Sequence, residues 1–160
     1  MRLLKRAPIF PPIFSKVGKA RVYRFEDRYF VCSVAGIAET DSITILPQNV
    51  DDLQLGEAIL KHLMEYDAQD SRDATQSRSK DWRAFIESGA TSIKTFEPHL
   101  WHVDASIENG NVNMQAQPRL TLKDHLSVQA FARCNFPNQV GEALREAIQG
   151  AQALRDRGLI

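Results

Sequence analysis

Apolar residues recur along this chain with two different periods. From Arg21 to Ala35, β-branched and aromatic residues flank the polar pair Glu26-Asp27 on both sides, which predicts a β-hairpin. Ser42 to Leu46 predicts a short strand with Ile43 and Ile45 on one face, closed by Pro47. From about Val50 the spacing changes to threes and fours: Leu55, Ala58, Ile59, His62, Leu63 and Tyr66 form the stripe of an amphipathic helix. Asp51 and Gln54 are spaced as a capping box, and Asp52 adds negative charge where the helix dipole favours it.

The same design returns near the C-terminus. Gly56-Glu57-Ala58 is matched by Gly141-Glu142-Ala143, an offset of 141 minus 56, or 85, which also lays Ser42-Ile43 on Ser127-Val128. Under that offset Leu55, Ala58, Ile59 and Leu63 fall on Val140, Ala143, Leu144 and Ile148, so two helices carry coincident apolar stripes. Pro137 stands in the first turn of the second, where a missing N–H costs nothing. Between the two units, Gln69 to Lys80 is polar and reads as a loop. A short helix is expected from about Asp81, packing Trp82, Phe85 and Ile86 and stopping at Gly89. Thr91 to Phe96 and His99 to Ile107 read as strands, and Asn109-Gly110 is a strong hairpin signal leading into a strand from Val112 to Gln117. The expected fold is α+β, a mostly antiparallel sheet with amphipathic helices packed on it in two strand–helix units.

Length and composition narrow the class. With 160 residues, 43% of them hydrophobic, the chain reads as a single domain (1–160), with residues 1–20 an extended basic N-terminal segment. Such a domain buries about 70% of its unfolded surface and needs no metal or disulfide staple. Pro8, Pro11 and Pro12 interrupt the apolar stretch near the N-terminus, so no secretion signal is legible, and no run approaches the roughly 18 apolar residues of a membrane span. The expectation is a cytoplasmic protein without a membrane partner, in which Cys32 and Cys134 stay reduced.

Twenty basic and twenty acidic residues cancel overall, but they are segregated. Residues 1 to 30 hold eight bases against Glu26 and Asp27; residues 31 to 75 hold nine acids against Lys61 and Arg72. An acidic face disfavours direct nucleic-acid binding and attracts basic proteins.

Catalytic signatures are missing from the sequence: it contains no phosphate-binding loop, dinucleotide fingerprint or nucleophile elbow. His99 and His102 point to opposite faces of the expected strand and cannot share a metal, so neither a metal nor a cofactor is expected. His62 lies on an apolar helix face and reads as a satisfied core histidine, Cys32 as a small buried hydrophobe, and Asp51 and Asp52 as helix-start residues. An enzyme would have to assemble its site from scattered residues such as His62, His125 and Cys134.

The segment Trp82-x-x-Phe85-x-x-Ser88-Gly89-x-x-Ser92-x-x-x-Phe96-Glu97, with the Leu55-Gly56-Glu57-Ala58 and Val140-Gly141-Glu142-Ala143 helix starts, resembles the contact-dependent growth inhibition (CDI) immunity proteins of bacteria. The resemblance runs from about Tyr23 to Gly150. It implies a small, non-enzymatic cytoplasmic protein that binds and neutralises a cognate CdiA C-terminal toxin domain, commonly a nuclease. It transfers no functional residue, because the contact surface varies with the toxin. A structural or adaptor protein of the same fold is the alternative. Nuclease toxins carry basic clefts, so the expected toxin-binding residues are the carboxylates of the first helix and the following loop, Glu57, Glu65, Asp67, Asp70 and Asp73. Trp101 is the expected aromatic anchor on the strands.

Overall fold

The computed structural model describes residues 17–67, 82–117 and 127–159. Six strands form one sheet: β1 (Gly18–Phe25), β2 (Arg28–Ala35), β3 (Ala38–Pro47), β4 (Trp101–Glu108), β5 (Asn111–Gln117) and β6 (Val128–Arg133). Every neighbouring pair is antiparallel, in the spatial order β3-β2-β1-β4-β5-β6. Among the described residues four helices pack on the sheet to give an α+β fold: α1 (Asp52–Met64), α2 (Arg83–Ser88), α3 (Ile93–Phe96) and α4 (Pro137–Asp156). The expected hairpins close as read; at Asn109-Gly110 both turn residues take positive φ, 52° and 77°, which the asparagine–glycine pair tolerates.

Strand register sorts the side chains into two faces. The row Thr44-Val31-Val22-Val103-Ala116-Val128 crosses all six strands on the face that α1 and α4 cover. Displaced by one residue, Ile43-Cys32-Arg21-Asp104-Gln115-Gln129 crosses the other face. There, under β1 and β2, Tyr23, Phe25 and Phe30 meet Phe96 and Ala84, with Trp82 and Phe85 packed alongside. Over β4 to β6 the second face is polar, carrying Ser106, Asn113, Gln115 and Gln129 around the exposed Phe131.

The internal repeat has a physical basis. Strands β1 to β3 lead into α1, β4 to β6 lead into α4, and the two units join through the central β1–β4 pair. The helices cross at the matched glycines. A Cβ on Gly56 would stand 1.7 Å from the Pro137 carbonyl oxygen, and one on Gly141 would stand 2.1 Å from that of Asp52. Because 137 minus 52 is also 85, each glycine meets the residue equivalent to the one its partner meets. The crossing is therefore symmetric, with no room for a side chain on either helix. Ile59 and Leu144, equivalent under the same offset, are both fully buried between the helices and the sheet.

Three expectations need correction. Thr91–Phe96 is not a strand: Ser92 accepts the Thr95 N–H at 3.2 Å and Thr95 Oγ1 accepts the Ser92 N–H at 3.3 Å, a capping box that starts α3. Its Ser-x-x-Thr spacing, with Phe96 drawn into the aromatic cluster, outweighs the β-branched pattern. His99 belongs to a 3-10 turn, Glu97–His99, and β4 begins only at Trp101. Ile86 is exposed; Ala84 takes the buried position expected of it, on a helix ended by Gly89 in the left-handed conformation. The expected loop Gln69–Lys80 lies outside the described residues.

Gly56→Ala and Gly141→Ala should each lower stability by about 1–3 kcal/mol, because forcing the helices apart outweighs the roughly 1 kcal/mol gained in helix propensity. Urea denaturation midpoints read this directly; an unchanged or raised midpoint in either variant contradicts the tight crossing.

Candidate functional site

Three polar clusters interrupt the apolar packing of the described residues. The first lies under the end of α1. His62 Nδ1 is 2.6 Å from Ser33 Oγ, and Nε2 is 2.8 Å from Thr44 Oγ1. The Ser33 and Ser42 hydroxyls both donate to Glu65 Oε2, the latter at 2.7 Å. Since Ser33 spends its proton on Glu65, its oxygen accepts from Nδ1–H, leaving Nε2 to accept from Thr44. One neutral tautomer satisfies the whole chain. Burial lowers the His62 pKa, against the opposing pull of Glu65, and keeps the ring neutral.

Serine, histidine and glutamate in contact invite comparison with a nucleophilic triad. A triad needs the nucleophile on one ring nitrogen and the carboxylate on the other. Here Nδ1 faces both Ser33 and Glu65, at 3.5 Å from the latter, Thr44 holds Nε2, and Ser33 is buried. The arrangement clamps α1 to β2 and the edge strand β3. Of the other scattered candidates, Cys134 is buried with its pKa raised by that burial, and His125 lies outside the described residues.

The second cluster lies on the opposite face. Glu39, only 7% exposed, accepts a hydrogen bond from Tyr23 and lies 3.7 Å from the Arg21 guanidinium. Arg21 also reaches Asp104 at 3.7 Å, and Asp104 is 3.1 Å from His102 Nε2. The His102 ring stands 5.0 Å from that of Tyr23. Burial raises the Glu39 pKa; the Tyr23 hydrogen bond and the Arg21 charge oppose it without cancelling it. In the third cluster Arg145 of α4 donates to Asp52 at 2.7 Å, to the Gln48 carbonyl at 3.0 Å and to the Val50 carbonyl, and packs over the Tyr29 ring. It satisfies the carbonyls of the loop that leads into α1. Among the described residues no group of three His, Cys, Asp or Glu side chains is placed to hold a metal.

Three of the five expected binding carboxylates lie among the described residues, on α1 or just beyond its end. Glu57 is exposed on α1, and Asp67 is exposed beyond its end, where its backbone bridges to Ala35. Glu65 turns partly inward to Ser33 and Ser42; these hydrogen bonds outweigh its partial burial and lower its pKa. Asp70 and Asp73 lie outside the described residues. Trp101 is 8% exposed and packs in the core under α4, with the Arg155 guanidinium 3.9 Å from its ring centroid. It presents no free face to a partner. The exposed aromatic on that half of the sheet is Phe131, at 67%. Sequence reading missed Phe131 because only the register shows which face of β6 is uncovered. It also missed Glu142 and Glu146, which share with Glu57 the exposed surface of the two-helix layer. The Gly-Glu-Ala match had already paired Glu142 with Glu57.

No protein-family model matches the sequence, and no curated protein matches it. Solved structures do match. The chain shares its fold with a chain of a toxin–immunity complex. That structure, the CdiA-CT/CdiI toxin and immunity complex from Yersinia pseudotuberculosis, superposes with a TM-score of 0.66 at 16% identity, over 84% of this chain and 97% of that one. A protein of unknown function from Neisseria meningitidis, NMB0488, also superposes with a TM-score of 0.66 at 16% identity, over 85% and 96%. At this identity the likeness shows the fold.

The second cluster makes stability pH-dependent. A carboxyl whose folded pKa lies above its unfolded value contributes fully below the unfolded value, and its contribution is lost as pH rises through the folded value. For Glu39 this window opens at the ordinary carboxylate pKa and extends upward. Relative to Glu39→Gln, the native protein should therefore lose unfolding free energy as pH rises from about 4 towards neutrality. Parallel pH profiles of the two denaturation midpoints contradict a Glu39 pKa raised by burial.

Proposed function

We propose that this chain is an immunity protein of a contact-dependent growth inhibition system, which binds a cognate CdiA C-terminal toxin domain in the cytoplasm and neutralises it by protein–protein contact. The observation that carries this reading is the near end-to-end superposition on a chain of the CdiA-CT/CdiI complex, over 97% of that chain. The polar clusters agree with it. The Ser33-His62-Glu65 group and Arg145 spend their hydrogen bonds holding elements together, which suits a rigid surface prepared for one partner. No described helix is long and apolar enough to cross a membrane. The toxin domain is a nuclease in this reading, and the carboxylates Glu57, Asp67, Asp70 and Asp73 steer its basic surface towards α1.

The role is tested by asking whether a large toxin gene lies immediately upstream of this gene and co-expressing its C-terminal domain with this chain. Restored growth, with a complex seen by calorimetry, is expected; no protection and no binding overturns the immunity reading. The surface is tested separately. Replacing Glu57, Asp67, Asp70 and Asp73 together by Gln or Asn should slow association about tenfold at low salt and flatten its salt dependence, with little effect on folding. Glu65 is left in place because it belongs to the α1 clamp. Unchanged kinetics moves the interface away from α1, most directly to the sheet face around Phe131.

A further inference from the structure

We propose that Arg24 and Arg155, gathered over the Trp101 ring at one end of the sheet, form a binding site for a phosphate group. Arg24 of β1 is paired with Tyr29 across β2 and with Trp101 across β4, so the three side chains stand together on the face that α1 and α4 cover. The Arg24 guanidinium carbon lies 5.9 Å from the centroid of the Trp101 ring, and that of Arg155, in the last turn of α4, lies 3.9 Å from it. The two carbons are therefore at most 5.9 plus 3.9, or 9.8 Å, apart. Arg145 reaches the neighbouring ring: its guanidinium carbon is 5.5 Å from the Tyr29 centroid, and Nη1 donates to the Tyr29 hydroxyl at 3.3 Å.

Arg24 differs from its peers in its partners. Arg21, Arg28, Arg83 and Arg145 are half-buried as it is, and each faces a carboxylate oxygen, at 3.7, 3.9, 2.8 and 2.7 Å respectively. Among the described residues no carboxylate pairs with Arg24. Burial lowers its pKa with Tyr29 alone opposing, whereas Glu39 and Asp104 help to raise that of Arg21 despite burial. A half-buried cation without a counter-ion is costly, and a bound anion removes that cost. The chemistry favours phosphate. A guanidinium lying over an aromatic ring keeps its N–H edge for hydrogen bonds, and that planar edge matches two oxygens of a phosphate. Arg145 is occupied by Asp52 and by the Gln48 and Val50 carbonyls, so the direct contacts fall to Arg24 and Arg155. Because the Tyr29 hydroxyl accepts from Arg145, its own proton is left to donate beside Arg24. Two cationic edges at one ring attract a dianion more strongly than the single charge of a carboxylate.

The site is independent of the immunity reading and is tested without a toxin. In the full chain carrying Trp82→Phe, Trp101 is the remaining tryptophan, and its fluorescence reports on the guanidiniums that cover it. Titration with inorganic phosphate, against chloride at equal ionic strength, should give a saturable change with a dissociation constant on the order of 1 mM. Arg24→Gln in the same chain should weaken binding at least about tenfold, because the two-oxygen edge is lost. Arg133→Gln removes an exposed arginine from the opposite face of the sheet and should leave binding unchanged. Urea midpoints without phosphate control for folding; if Arg24→Gln does not fold, Arg155→Gln takes its place with the same expected loss. Ribose 5-phosphate is the second arm. Equal affinity assigns the site to free phosphate, whereas affinity at least about tenfold tighter assigns it to a phosphate monoester carried on a small molecule. No saturable change with either probe, or undiminished binding in the folded arginine variant, overturns the site.

Discussion

Two helix backbones approach too closely for a side chain between them, and most of the architecture follows from it. Gly56 rests on the Pro137 carbonyl and Gly141 on that of Asp52, so α1 and α4 touch without intervening side chains. Helices this close form one layer, and that layer covers the Val22-Val31-Val103-Ala116 face of the sheet. Arg145 locks the same junction by bonding α4 to Asp52 and to the loop that opens α1. Both long helices lie on one side, and among the described residues the short helices α2 and α3 pack on the other. They cover the aromatic half, under Tyr23, Phe25 and Phe30, and leave the amide-rich half to solvent.

Where polar groups are buried, they are arranged to hold this geometry. In the interior an unmade hydrogen bond costs more than a made one contributes, so a complete chain such as Thr44-His62-Ser33-Glu65 defines position sharply. It pins the end of α1 to β2 and β3, at the opposite end of the helix from the glycine crossing. Glu39 is held less completely: one oxygen accepts from Tyr23 and faces Arg21, while burial raises the carboxyl pKa against both. Neither cluster presents a nucleophile to solvent, and both make the framework stiff.

A stiff framework with charge displayed outward favours fast, selective encounter more than chemistry. Conspicuous in the sequence is the separation of a basic beginning from an acidic stretch. In the fold the beginning of β1 lies against the end of α1, where Gly18 meets the Leu63 carbonyl and Lys19 stands over the Tyr66 ring.

Much of the fold was legible in the sequence because it rests on local rules. The hairpins, the Asp51 cap, the apolar stripes of α1 and α4, and the Gly-Glu-Ala repeat all depend on residues within a few positions of one another. Thr91–Phe96 was misread because two local signals conflicted, and the packing of Phe96 among distant aromatics decided for the helix. The exposure of the candidate site residues was less legible. Trp101 and Phe131 both read as strand aromatics, yet one is buried under α4 and the other stands in solvent, since which face a helix covers is settled by the partners of a whole sheet. Glu57 and Glu65 likewise looked equivalent as carboxylates off the core stripe of one helix. Only the tertiary arrangement brought Ser33 and Ser42 to Glu65 and left Glu57 free, because hydrogen-bond partners from other strands carry no signature in the sequence around the residue they capture.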